Sequence, residues 1–150
     1  MRLVRVLVVD DSVTIRAMMR QVLESDPEIR IAGMAGSADE AERLLDETLV
    51  DVITLDVEMP GRSGLDYLQD LRRRRPTPVI MLSSYTARGE EMRAEALLMG
   101  AAACFNKANA MREREKLIRL VKDAAHRESR LDREDVAAVA AAAAALRAAE

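Results

Sequence analysis

The sequence predicts an α/β domain built on an open five-stranded parallel sheet with helices on both faces. Three observations carry this. Five short apolar runs, Val6–Val9, Ile29–Ala35, Val52–Leu55, Val79–Leu82 and Ala102–Phe105, recur along the chain. Three of them are continuous rather than alternating, as strands covered on both faces must be. The segments between them carry apolar residues at helical spacing, and this alternation gives parallel strands joined by right-handed crossovers.

Each element follows in turn. After the first run, Val13, Ala17 and Gln21 with Ile15, Met18 and Val22 mark a helix that Asp26-Pro27 ends. Ser37 and Glu40 form a capping box ahead of a second helix, whose Ala38, Ala41, Leu44 and Leu45 share a face. Gly61 and Gly64 bracket a loop after the third strand. Leu65, Leu68 and Leu71 then define a third helix, broken at Arg75-Pro76. Gly100 stands where the fourth helix stops, at a position suited to left-handed backbone. A charged fifth helix runs from Met111 to about Glu128, with Leu117, Leu120, Val121 and Ala124 on one face.

Residues 1–128 thus read as one domain, the size that a single core supports. Residues 129–150 read as an alanine-rich helical tail opened by Asp132, Glu134 and Asp135, which suit a helix N-terminus. Its Val136, Val139 and Leu146 are expected to dock on the same domain or to pair two copies.

Composition narrows the function. The net charge of −3 and pI near 5.4 give no general attraction to nucleic acid. No apolar run reaches the ~18 residues of a membrane span, and Met1 to Arg5 lack the apolar stretch of a signal peptide, so a cytoplasmic location is expected. The single Cys104 has no second cysteine or histidine cluster to join in a metal site, and reads as a small buried thiol. His126, the only histidine, stands in the last helix far from the acidic residues. Arg72 to Arg75 read as a solvated helix end.

The chemistry gathers at strand ends. Asp10 and Asp11 follow the first strand and Asp56 the third, where open α/β sheets bind ligands. Three converging carboxylates repel one another unless a divalent cation joins them, and an all-oxygen site suits Mg²⁺. Ser83 after the fourth strand and Lys107 after the fifth add a hydroxyl and an ammonium. Carboxylate nucleophile, metal, hydroxyl and cation are the parts of a phosphoryl-transfer site.

Four segments carry a resemblance: Val6-Leu7-Val8-Val9-Asp10-Asp11-Ser12, Thr54 to Gly61 (TLDVEMPG), Val79 to Ser84 (VIMLSS) and Phe105-Asn106-Lys107. The chain resembles the receiver domains of bacterial two-component response regulators over residues 1 to about 125, most of all those of the chemotaxis methylesterases. The resemblance implies a flavodoxin-like doubly wound sheet of order 2-1-3-4-5. It implies Asp56 as the phosphoacceptor and Asp10, Asp11, Asp56 and the backbone carbonyl of Glu58 around Mg²⁺. Ser83 and Lys107 would bind the phosphoryl group, beside a small and permissive Ser84. It also implies a histidine kinase or phosphotransfer protein as donor and a protein target on the face of the fourth helix, fifth strand and fifth helix. Two positions depart from the family: Ala108 follows the lysine where proline is usual, and Cys104 stands where an aromatic residue is common. Phe105, one residue on, should face the other side of the strand.

No Gly-x-Ser-x-Gly elbow appears, so a chain acting by binding alone is expected, a longer methylesterase-like regulator cut short being the alternative. An aspartyl-nucleophile phosphatase would place its Asp-x-Asp after the first strand. A flavodoxin would need a hydroxyl- and glycine-rich loop where Asp10-Asp11-Ser12 stands.

Overall fold

In the computed structural model, the strands are β1 (Val4–Val9), β2 (Ile29–Ala35), β3 (Val52–Asp56), β4 (Val79–Ser83) and β5 (Ala103–Asn106). The helices are α1 (Val13–Glu24), α2 (Ala38–Glu47), α3 (Gly64–Arg74) and α4 (Ala87–Leu98), with a 3-10 turn at Lys107–Asn109 and a further helix, α5, at 114–126. The structure describes residues 3–84 and 87–126, with two isolated helical positions at 145 and 148. The docking expected of the alanine-rich tail lies outside the described residues.

All strand pairs are parallel, in the order β2-β1-β3-β4-β5. This is the flavodoxin-like order. From β1 the chain steps to one side for β2 and to the other for β3, so the carboxyl ends of β1 and β3 flank the point where strand order reverses.

Strand parity divides the core in two. Leu7, Val9, Ile53, Leu55, Val79 and Met81 point to the face covered by α2, α3 and α4. Val6, Val8, Val52, Ile80, Leu82 and Phe105 point to the face covered by α1 and α5, where Met19, Leu23, Leu117 and Val121 meet them. Five of the six residues of β1, and every residue of β3 and β4, are buried, which is why those runs lack alternation. At the edge, Cys104 and Phe105 pack into opposite cores, as their adjacency requires.

Capping fixes the helix starts. The hydroxyls of Ser12, Ser37 and Ser63 accept from the N–H groups of Ile15, Glu40 and Asp66. In the capping box of α2, the Glu40 carboxylate reaches back one residue further than expected, accepting from Gly36 N at 3.0 Å. The end of α4 is a Schellman motif: Gly100 at φ +103° donates to Leu97 O, and Ala101 donates to Ala96 O at 3.0 Å.

Several expectations need correction. The Val13, Ala17, Gln21 row of α1 faces solvent, because Met19, Val22 and Leu23 form the buried stripe. The fifth helix starts at 114, since Lys107 to Glu113 form a 3-10 turn and further turns. The fifth strand lies one residue later than its apolar run, pairing Ser83 with Asn106. Arg74 and Arg75 are not simply solvated: they reach Glu42 at 2.6 and 3.2 Å, and Arg75 also meets Asp46, tying α3 to α2. Cys104 is half-buried on the edge strand, with Sγ 3.6 Å from Arg93 O.

Candidate functional site

Asp56 is the last residue of β3 and is paired with Leu82 of β4, so its side chain emerges where the sheet ends. Asp10 follows β1 and is anchored by its N–H to Ala35 O at 3.0 Å. Both carboxylates are buried, at 0% exposure for Asp10 and 2% for Asp56, while Asp11 is exposed beside them. One carboxylate oxygen from each of the three lies within 4.8 Å of the others.

The fixed contacts explain how the site holds together. Asp56 Oδ1 accepts from Glu58 N at 3.1 Å and from Lys107 Nζ at 3.3 Å. Lys107 follows β5, two strands away, so the sheet rather than local sequence brings the ion pair together. Asp10 Oδ1 accepts from Ser12 N at 2.9 Å. Among the described residues its Oδ2 is buried without a hydrogen-bond partner. Ser83, buried at the end of β4, stands one residue beyond the partner of Asp56 and opposite Asn106, the residue before Lys107.

Electrostatics make this a strained arrangement in the absence of a cation. Burial, then the neighbouring charge of Asp10, push Asp56 up to about 6, against the pull of Lys107 and the Glu58 amide. Burial also raises Asp10, offset in part by the Ser12 amide and Lys107. Three ionised carboxylates outnumber the Lys107 ammonium and the Arg16 guanidinium, leaving a net charge of −1. An orphaned buried carboxylate oxygen within an all-oxygen cluster is the donor set a hard divalent cation takes. The residues therefore fit such an ion.

The strand-end residues Asp10, Asp11, Asp56 and Lys107 come together as their positions suggested. For Glu58 the structure shows the amide bound to Asp56. Sequence reasoning missed Gly64. A Cβ there would lie 2.0 Å from Asp56 O and 2.8 Å from Val57 Cα, so only glycine lets the start of α3 close against the end of β3. It also missed Arg16, whose Nη1 donates to Asp10 O at 2.6 Å. The signal for Gly64 was its place just after a capping serine; that for Arg16 was a cation one helical turn past Ser12, the residue after the acidic pair.

Among the described residues, no helix is long and apolar enough to cross a membrane. The family model described as "Response regulator receiver domain" matches residues 6–120. The chain is 49% identical over 105 residues to a protein-glutamate methylesterase/protein-glutamine glutaminase of Agrobacterium fabrum, covering 70% of this chain and 30% of that one. A protein of the same name from Caulobacter vibrioides is 44% identical over 119 residues, covering 79% and 35%. The chain thus spans about a third of the length of these curated relatives. The crystal structure of the response regulator domain of Thermotoga maritima CheB superposes with a TM-score of 0.75 at 33% identity, over 83% of this chain and 98% of that one. With fold, site and sequence in agreement, the chain belongs to the response regulator receiver domain family.

Proposed function

We propose that the chain is a phosphoryl-accepting switch of a two-component, chemotaxis-type pathway, with residues 1–128 as the receiver and 129–150 as an appended tail. An oxygen of Asp56 attacks the phosphorus of a phosphohistidine on a histidine kinase or phosphotransfer protein. The P–O bond forms as the P–N bond breaks, leaving an aspartyl phosphate and restoring the donor's histidine. Asp10, Asp11, Asp56 and the Glu58 carbonyl would hold Mg²⁺, which when bound neutralises charge on the phosphoryl oxygens. The Ser83 hydroxyl and the Lys107 ammonium receive phosphoryl oxygens, and the small Ser84 leaves them room. Lys107 already lies on Asp56, so it exchanges a carboxylate partner for a phosphoryl one without long travel. The domain catalyses only its own phosphorylation and dephosphorylation. Its output is a shift between two conformations, read by a protein target on the face formed by α4, β5 and α5. A cytoplasmic location belongs to this reading.

The observation that carries the proposal is a buried strand-end Asp56 that shares one site with Asp10, Asp11 and Lys107. Incubation with acetyl phosphate and Mg²⁺ should add one phosphoryl group, mapped to Asp56 and absent from Asp56→Asn. Equal labelling of that variant, or labelling undiminished in excess EDTA, would reject the assignment. The relatives favour a second reading, in which this receiver is the regulatory portion of a longer methylesterase-like protein. The size of the native protein on an immunoblot decides between them.

A further inference from the structure

We propose that Arg16 is the positioning residue of the acidic site, holding the turn at residues 10–12 through the Asp10 carbonyl from a seat that Gly36 leaves open. The inference rests on the metal-site reading above.

The turn is gripped from three sides. Asp10 N donates to Ala35 O, Ser12 N donates to the Asp10 carboxylate, and Arg16 Nη1 donates to Asp10 O at 2.6 Å. The first contact fixes where the strand ends and the second fixes the Asp10 side chain. The third acts directly on the carbonyl of the peptide that joins Asp10 to Asp11, and so on the direction in which the exposed Asp11 carboxylate leaves the turn. Arg16 is itself placed by the turn, because its N–H bonds Ser12 O at 3.0 Å in the first turn of α1.

Its guanidinium lies against Gly36, at the junction of β2 and α2. A Cβ on Gly36 would meet Arg16 Nη1 at 3.0 Å and lie 3.7 Å from Glu40 Oε2. The Glu40 carboxylate holds the Gly36 amide at 3.0 Å, so this seat is fixed by α2. Arg16 thereby links three segments, the start of α1, the end of β1 and the β2–α2 junction, around one carbonyl. Its φ is not in the left-handed region, so Gly36 is not required by backbone conformation. The absence of its Cβ serves the guanidinium.

Charge and position predict opposite outcomes. Removing a cation near an acidic site should tighten divalent binding if charge is all Arg16 contributes. Loss of a hydrogen bond that orients metal-binding groups weakens binding, typically by about tenfold or more. Isothermal titration with MgCl₂ alone, on the full chain, separates the two. We expect Arg16→Ala to weaken Mg²⁺ about tenfold. Gly36→Ala should weaken it less, by displacing the flexible end of Arg16. In the double variant, Gly36→Ala should add nothing to Arg16→Ala, because the two act through one contact. Arg16→Lys keeps the charge but not the planar fork, and should fall between wild type and Arg16→Ala; it also serves if Arg16→Ala does not fold. Equal or tighter binding in both Arg16 variants, or additive losses in the double variant, would overturn the proposal. Failure of the wild type to bind Mg²⁺ or to be labelled on Asp56 would instead count against the metal-site reading itself.

Discussion

Asp56 has a folded-state pKa of about 6 against an ordinary 3.8. The metal-free folded state therefore holds this proton more tightly than the unfolded chain does. The resulting stabilisation is present below pH 3.8 and is lost as pH rises through about 6. Two pKa units correspond to about 3 kcal/mol. Asp56→Asn removes this cost but leaves Lys107 without its partner, so the net gain above pH 7 should be on the order of 2 kcal/mol. Urea unfolding in EDTA should show the variant more stable at pH 8 and the gap closing near pH 4. If the carboxylates hold Mg²⁺ as proposed, saturating Mg²⁺ should narrow the gap at pH 8 by stabilising the folded wild type. A gap independent of pH would mean that Asp56 is not held ionised against its surroundings. The convergence of Asp10, Asp11, Asp56 and Lys107 was legible in the sequence because each is a charged side chain just past an apolar run. Gly64 and Arg16 were not, because their value lies in which neighbours the fold gives them. Gly64→Ala, with a Cβ overlapping the Asp56 carbonyl, should cost at least the ~1 to 3 kcal/mol of a typical overpacked site.

The elements show which local signals survive folding. Ser37 caps α2 and Gly100 ends α4 as their residue types suggested, since both act through the backbone of their own helix. The start of α5 and the buried stripe of α1 were misjudged for the opposite reason. Val13 and Met111 are apolar and helix-compatible, yet both stand exposed, and only tertiary packing decides which apolar row turns inward. Ser12 separates two roles within one residue. Its hydroxyl caps α1, while its backbone N–H holds the Asp10 carboxylate. Ser12→Ala should cost about 1 kcal/mol of stability as a lost cap, yet leave Mg²⁺ affinity unchanged because the amide remains. Thermal unfolding and MgCl₂ titration of the same variant check both halves. A loss of metal affinity matching that of Arg16→Ala would show that the cap, not the amide, orders the turn.

At the scale of the molecule, the sheet separates two cores, and Asp10, Asp11, Asp56 and Lys107 all stand at or just past strand ends between them. The described cores draw on residues from Val4 to Ala124, and the site on residues from Asp10 to Lys107. Strand order set this arrangement. The apolar runs identified the strands and their burial, but the side-by-side placement of β1 and β3 came from the family resemblance, since crossovers leave no local mark. The same division bears on residues 129–150. If folding and phosphoryl acceptance need only the two cores and the strand ends, a chain ending at Arg130 should be labelled on Asp56 at the wild-type rate and unfold at the wild-type temperature. The tail's Val136, Val139 and Leu146 then bear on association alone, because an alanine-rich helix of this length is marginal unless an apolar stripe finds a partner. Light scattering of the full and shortened chains, with and without acetyl phosphate, reads that second role. A full chain at twice its chain mass and a shortened chain at once its own, with labelling intact, would assign the tail to pairing two copies. Loss of labelling would show that the receiver depends on its tail, and would move the boundary at residue 128 toward the C-terminus.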